Sequence, residues 1–189
     1  MKSLLIKKKN SNPATVASLN HFTSEQAAYL SSFGREQTRE MIAGLKPNQA
    51  LHYIARMYNM HDVFADLIKL SGPASVKIIS YSITEFPLRI LSQFQAKKII
   101  TKLDMILDFT VSRTPPLKQF AKHFANRVRF TDNHSKILLI KNDNWNITHI
   151  GSANFTRNNR YEQGTILTYR SQYDEYSSWF ETMFENATD

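Results

Sequence analysis

Short apolar runs alternate with amphipathic helical patterns along most of this chain, and this alternation restricts its fold more than any other feature. Residues 76–81, Val-Lys-Ile-Ile-Ser-Tyr, are typical of a strand. A helical pattern follows that begins at Thr84 and has Ile90 and Phe94 on its apolar side. Strands at this rhythm, with helices between them, predict an α/β layer fold with a mixed central β-sheet and helices on both faces.

The other elements follow from the same kind of pattern. Further strands are predicted over residues 50–57, 102–110, 127–130 and 163–168. Further helices are predicted to begin at Asn59, at Pro115-Pro116 and near Gln172. With 189 residues, the chain is long enough for one substantial core and too short for two.

An additional amphipathic helix is predicted near the N-terminus. Thr23 and Ser24 are good N-caps, and apolar residues at helical spacing continue through Phe33 toward Ile42. Gly34 weakens this pattern, and Gly44 is expected to end it. We therefore expect residues 1–46 to form a helical extension.

The residues that carry chemistry lie in two short segments. His134 and Lys136 are two apart, and on a strand such residues point to the same face. An imidazole and an ammonium in one pocket suit phosphoryl chemistry, because the first can act as nucleophile or acid and the second neutralises phosphate oxygens. Gly151, Ser152 and Asn154 follow the next predicted strand, where they can complete an anion pocket. Each residue alone is equally compatible with an ordinary cap, surface charge or turn, whereas their combination favours a phosphodiester site.

The combined pattern resembles the phospholipase D superfamily, in which His-x-Lys is followed by an aspartate and then by Gly-Ser-x-Asn. The matching residues are His134, Lys136, Gly151, Ser152 and Asn154, with Glu162 where many relatives have a further acid. Lys141 stands at the position of the family aspartate. The resemblance covers the chain from about Ala50 onward. It implies one phospholipase D-like domain at residues 47–189, after an extension at residues 1–46.

The resemblance also implies a homodimer. Relatives with one His-x-Lys copy form the site from two protomers, and a two-fold axis places His134 of each on opposite sides of one phosphorus. One imidazole would attack to give a phosphohistidine, while the other protonates the departing oxygen and then activates water. Lys136 and Asn154 would hold the charge on the non-bridging oxygens, and Glu162 with Ser152 would orient the imidazole.

This scheme needs neither a metal nor another cofactor. The acids Asp132, Asp143 and Glu162 are spread apart in the sequence, and only Glu162 belongs to the motif. Tyr81 and Ser82 end a predicted strand where an open α/β sheet has its ligand crevice, so topology alone makes their position compatible with facing the substrate. His149 is expected to be a packed or surface residue.

The charge of the chain favours nucleic acid as the partner. The formal net charge is +8, and basic residues both precede and follow the two segments. Arg113, Arg157 and Arg160 are the residues we expect to contact nucleic acid, through phosphate neutralisation. The alternative is that the basic residues only aid solubility.

Several classes of protein are disfavoured. The chain has no cysteine, so it has no disulfides, and the apolar run near its N-terminus is too short for a signal sequence. No stretch approaches a membrane span, and we expect a cytoplasmic protein without stable membrane association. The leading hypothesis is a nuclease-like phosphodiesterase acting on DNA or RNA. A catalytically silent nucleic-acid-binding module is the main alternative, and a phospholipid phosphodiesterase is weaker because no basic amphipathic helix is evident.

Overall fold

The computed structural model describes residues 28–189, which form one eight-stranded sheet with helices on both faces. The strands are β1 Ala28–Phe33, β2 Gln49–Arg56, β3 Ala74–Ser80, β4 Ile100–Asp108, β5 Arg127–Thr131, β6 Ile137–Lys141, β7 Asn146–Gly151 and β8 Tyr161–Leu167. The helices are α1 Arg35–Ala43, α2 Met60–Ser71, α3 Glu85–Ala96, α4 Phe109–Ser112, α5 Pro115–Phe124 and α6 Arg170–Asn186. The predicted fold class is confirmed.

The strand order brings functionally important loops to one edge of the sheet. The order is β1-β2-β8-β7-β6-β3-β4-β5, and only β6 and β8 run opposite to the other strands. The carboxyl ends of the six co-directional strands therefore meet the amino ends of β6 and β8. This edge, which we call the site edge, includes the loops 57–59, 81–84, 132–136 and 152–160.

The two faces of the sheet are packed differently. Apolar residues of α1, α2, α3 and α5 cover one face and form the main core. Helix α6 covers part of the other face, where Phe180 packs with Ile79, Ile106 and Leu139. Glu181 of α6 also contacts the sheet, because Arg127 Nη2 lies 3.0 Å from its carboxylate. Hydrogen bonding from Arg127, opposed by burial and assisted by Lys77, lowers the pKa of Glu181 to about 2.

The N-terminal helix prediction is wrong for residues 28–33 and correct for the residues after Gly34. Residues 28–33 form β1, which pairs in parallel with β2 from Ala28 opposite Gln49 to Phe33 opposite Ile54. Gly34 has φ 107°, a backbone conformation that favours glycine, and it separates the strand from α1. The predicted caps Thr23 and Ser24 lie outside the described residues. The domain boundary between residues 46 and 47 remains a prediction.

The start of α2 follows the sequence prediction closely. Asn59 is the N-cap, and its backbone N–H donates to the Asp62 carboxylate at 3.0 Å in a capping box. Gly72, with φ 72°, ends the helix. In the part of the chain that the structure describes, no helix combines the length and apolar character needed to cross a bilayer.

Candidate functional site

His134 and Lys136 lie in the irregular segment before β6, so the prediction that they lie on a strand is wrong. The side chain of Asn133 turns the backbone here, because its Oδ1 accepts the Ser135 N–H at 2.8 Å. The two functional side chains nevertheless meet. Lys136 Nζ lies 3.2 Å from His134 Nδ1 and donates to the His134 carbonyl at 2.5 Å.

Asp108, a residue that the sequence reasoning missed, supports this segment from the end of β4. Its carboxylate accepts the backbone N–H of Asn133 at 3.1 Å and that of Thr110 at 2.8 Å. Burial alone would raise the pKa of Asp108, but these hydrogen bonds outweigh it and the pKa lies below its usual value. The sequence feature that could have identified Asp108 is its place as an acidic residue at the end of an apolar strand.

Lys136 is almost completely buried, with 7% of its surface exposed. Burial lowers the pKa of its ammonium, and the negative charge of Glu162 opposes that effect. Tyr81 lies against both members of the pair: its ring centroid is 4.7 Å from that of His134 and 5.4 Å from Lys136 Nζ. The end of β3 thus lies beside the pair.

Glu162 on β8 is tied to the loop that follows β7. Ser152 Oγ donates a short hydrogen bond to one carboxylate oxygen, and Asn158 Nδ2 donates to the other at 3.0 Å. The Ser152 N–H also donates to the Gln163 carbonyl at 3.0 Å. These bonds hold the Gly-Ser-x-Asn loop against the start of β8.

Asn154 is oriented by the loop after β3. Its Oδ1 accepts the backbone N–H of Ser82 at 3.3 Å, and Ile83 forms a β-bridge with Phe155. An amide oriented through its oxygen keeps two Nδ2–H donors for another acceptor. Tyr81 contacts His134 and Ser82 contacts Asn154, so the loop 81–84 connects the two predicted site segments.

Gly151 is needed for packing. A Cβ at this position would lie 2.9 Å from both the Gln163 carbonyl oxygen and the His149 ring. Its N–H donates to the Lys136 carbonyl at 3.2 Å, which joins the two segments through their backbones. His149 itself is fully buried, and its Nε2 lies 2.8 Å from the Tyr53 hydroxyl. Burial lowers the pKa of His149 to about 3, so the ring is neutral.

Lys141, at the family aspartate position, lies at the edge of the sheet opposite to the site edge, which we call the far edge. Strand β6 begins at the site edge and ends at Lys141. Its Nζ lies 5.1 Å from the centroid of Tyr173 and 3.7 Å from the carboxylate of Asp174, both on α6. This lysine therefore contacts α6 and not His134.

The three predicted nucleic-acid contacts are at the site edge. Arg113 follows α4 after β4, whereas Arg157 and Arg160 lie in the loop before β8. All three are exposed, and the guanidinium carbon of Arg157 lies 3.7 Å from the ring centroid of Phe86. Within residues 28–189, no cluster of three or more histidine or acidic side chains is arranged to hold a metal ion.

Comparison with known proteins identifies the fold. No family model matches the chain, and no curated protein matches it in sequence. The phospholipase D family member Nuc from Salmonella typhimurium is similar in structure, with a TM-score of 0.58 and 16% identity over 74% of this chain and 96% of Nuc. Polyphosphate kinase from Porphyromonas gingivalis has a TM-score of 0.50 and 14% identity over 73% of this chain and 26% of the kinase.

A third protein with a similar structure, TrmBL2, is described as an archaeal chromatin protein with a novel mode of DNA binding. Its TM-score of 0.49 and its identity of 11%, over 80% of this chain and 60% of TrmBL2, are too low to carry an inference. The likeness to Nuc extends over nearly the whole of that protein, and the mixed sheet with helices on both faces agrees with it. This chain therefore has the phospholipase D-like fold.

Proposed function

We propose that this protein is a metal-independent phosphodiesterase, a nuclease that hydrolyses DNA or RNA at a site shared by two protomers. The observation that carries the proposal is the contact between Lys136 Nζ and His134 Nδ1 at the site edge. Asn154 and the Ser152–Glu162 pair belong to the adjoining loop. The basic residues along the same edge favour a polyanionic substrate.

Substrate binding changes the partner of the ammonium. In the free protein Lys136 lies within hydrogen-bond distance of Nδ1, and a bound phosphate competes for it. Once Lys136 turns to a non-bridging oxygen, Nδ1 can carry the ring proton, which leaves the lone pair on Nε2. Nε2 of His134 is then the nucleophile, and the Asn154 amide donates to another non-bridging oxygen.

The reaction has two balanced steps. In the first, the Nε2–P bond forms, the P–O bond to the leaving group breaks, and His134 of the second protomer gives its proton to the departing oxygen. In the second, that imidazole takes a proton from water, the water oxygen attacks phosphorus, and the N–P bond breaks. Orientation of the imidazoles by Glu162 and Ser152 is part of the proposal, as are the homodimer and a cytoplasmic setting.

The decisive experiment measures hydrolysis of single- and double-stranded DNA and RNA in excess EDTA. We expect cleavage by the natural protein and none by His134→Ala. His123→Ala, which changes an exposed histidine on α5, should cleave normally. A phosphorylated, acid-labile and base-stable protein adduct should be trapped on a reactive phosphodiester. Cleavage that EDTA abolishes, or that His134→Ala retains, would contradict the proposal.

The homodimer has its own test. Sedimentation should give twice the chain mass under assay conditions, and a protein that remains monomeric while it cleaves would exclude the shared site.

A second candidate function is a catalytically silent nucleic-acid-binding module, which the exposed arginines at the site edge favour. Salt-dependent binding of DNA without any trapped adduct would select it.

A further inference from the structure

A cavity of about 440 Å³ opens beside the candidate site. It lies between the start of α2, the start of α3 and the loop before β8. The charged, aromatic and amide side chains that line it include Arg35, His61, Asp62, Phe86, Arg157 and Asn158. Asn158 belongs to the site and to the cavity, because its Nδ2 donates to Glu162 and its backbone N–H donates to Asn59 at 3.1 Å. Asn158 therefore links the cavity lining to Glu162 of the candidate site.

The cavity carries a net positive charge. Arg157 lies over Phe86 and, within residues 28–189, forms no ion pair. Arg35 Nη2 lies 3.5 Å from Asp62, whose other oxygen accepts the Asn59 N–H of the capping box. Burial lowers the pKa of His61, Asp62 opposes this, and Arg157 and Arg35 lower it further, so that ring is neutral. The cavity lining thus holds two guanidinium groups and one carboxylate, Asp62, which already accepts the Asn59 N–H; Arg35 also lies 3.9 Å from the exposed Glu36 outside the lining, whereas Arg157 has no acidic partner among residues 28–189.

The position of Arg157 is suited to binding an anion. Phe86 is 41% exposed, and its ring lies against the guanidinium of Arg157. The His61 ring packs edge-on against the same phenyl ring, with 5.5 Å between the ring centroids. An arginine held by an aromatic ring keeps its N–H donors in a fixed direction, and its fork matches two phosphate oxygens. The cavity is also open to solvent, so a phosphate of a nucleic-acid strand can reach it.

We propose that this cavity binds a backbone phosphate that flanks the scissile one in the nucleic-acid substrate, with Arg157 as its principal contact. The inference rests on the proposed function, since it assigns a subsite of the same active site. Its ligand is a phosphodiester of a continuous strand, which enters the cavity past Asn158. It predicts that the enzyme needs a charged phosphate at a fixed distance from the bond that it cuts, and the two-fold axis of the proposed homodimer places one such cavity on each side of that bond.

The first test measures binding without turnover. His134→Ala protein is titrated with a fluorescent single-stranded oligonucleotide at several salt concentrations. The same protein with a second substitution, Arg157→Ala, should bind more weakly. The slope of log K against log salt should fall in magnitude by about 0.7, as expected for one lost phosphate contact on a single strand. Arg170→Ala is the matched control, because Arg170 is an exposed arginine at the far edge that contacts Asp174. An unchanged slope in Arg157→Ala would overturn the inference.

The second test locates the phosphate. End-labelled oligonucleotides carrying one neutral methylphosphonate each are cleaved by protein with an intact His134. The natural protein should cut poorly at bonds a fixed distance from the neutral linkage, and this suppression should vanish in Arg157→Ala but persist in Arg170→Ala. Identical suppression in all three proteins would contradict the subsite. Complete absence of cleavage would count against the proposed function alone, and the salt slope would still decide the cavity.

Discussion

Lys136 Nζ lies 3.2 Å from His134 Nδ1 even though neither residue is on a strand. Asn133 and Asp108 hold the intervening backbone, so the pair is fixed by a turn and its hydrogen bonds. In the proposed reaction, the ammonium of this almost completely buried lysine replaces water around the phosphate with a preorganised charge. Its contribution should therefore appear in the chemical step.

Replacing Lys136 by Met tests this contribution. The substitution keeps the apolar stem of the side chain and removes the ammonium, both its charge and the N–H donors that reach His134. We expect kcat for DNA cleavage in EDTA to fall about 10²- to 10³-fold, the range typical of losing one transition-state donor. Lys97→Met, at an exposed lysine after α3 on the far edge, is the control. Normal kcat in Lys136→Met would show that the ammonium does not act on the phosphate.

The pH dependence of substrate binding should report the charge of Glu162. In the proposed mechanism both Lys136 and the acid His134 carry protons, so the pH profile of cleavage does not isolate Lys136. Binding of an oligonucleotide by His134→Ala protein removes the imidazole from the comparison, and we expect it to weaken as pH rises through the pKa of Lys136. Burial lowers this pKa and Glu162 opposes the change, so Glu162→Gln should lower it further. In the His134→Ala background, Glu162→Gln should then lose oligonucleotide binding at lower pH.

Ser152→Ala provides the matched comparison for Glu162→Gln. It removes the hydroxyl that bonds Glu162 but keeps the carboxylate charge. In the same His134→Ala background, Ser152→Ala should lose binding at the same pH as the protein that keeps both Ser152 and Glu162. If both variants shift the loss of binding equally, the hydrogen bond and not the charge controls Lys136.

The sequence predicted most elements because their patterns are local. The apolar alternation of β3 and the Asn59 cap of α2 depend on neighbouring residues, and both are present. Strand β1 was missed because its backbone partners are in β2, and a helical pattern through Phe33 gives no sign of them. Pairing across the sheet overrode local propensity.

The candidate site shows the same division. The spacing of His134 and Lys136 placed them together, but a strand is not what joins them. The contact from Asp108 spans 25 residues along the chain, and no local pattern reveals it. Lys141 illustrates the reverse case, since alignment to a family position says nothing of the direction of its side chain toward α6.

Acid should destabilise the fold through His149. Its pKa is about 3 in the folded protein against 6.5 as the ordinary value, so the unfolded chain takes up a proton first as pH falls. The contribution of neutral His149 to the free energy of unfolding is complete above about pH 6.5. It is lost as pH falls from about 6.5 to about 3, at about 1.4 kcal/mol per pH unit. Urea unfolding between pH 7 and pH 5 measures the total slope, to which His61 also contributes because burial lowers its pKa, and the difference between the natural protein and His149→Gln isolates the part due to His149.

His149→Gln should be less stable at pH 7 but should have a shallower slope, because glutamine does not titrate. The interval above pH 5 avoids the loss of the Glu181 ion pairs, which occurs at lower pH. His123→Gln controls for removing a histidine from an exposed position. An unchanged slope in His149→Gln would mean that His149 is not the group that couples folding to acid.

Gly164 on β8 should tolerate no side chain, because a Cβ there would lie 2.5 Å from Tyr53 Cζ and 2.6 Å from His149 Nε2. Gly164→Ala must displace the hydrogen-bonded Tyr53–His149 pair, and overpacking of this kind costs about 1–3 kcal/mol. Gly44→Ala is the matched control, since its Cβ would meet only ordinary contacts at 3.7 Å. That variant should be neutral or more stable by up to about 1 kcal/mol through reduced unfolded-state entropy. Urea unfolding at pH 7 compares the free energies of unfolding of the two variants. Equal values would show that Tyr53 and His149 can move to accommodate a Cβ at residue 164 without loss of stability.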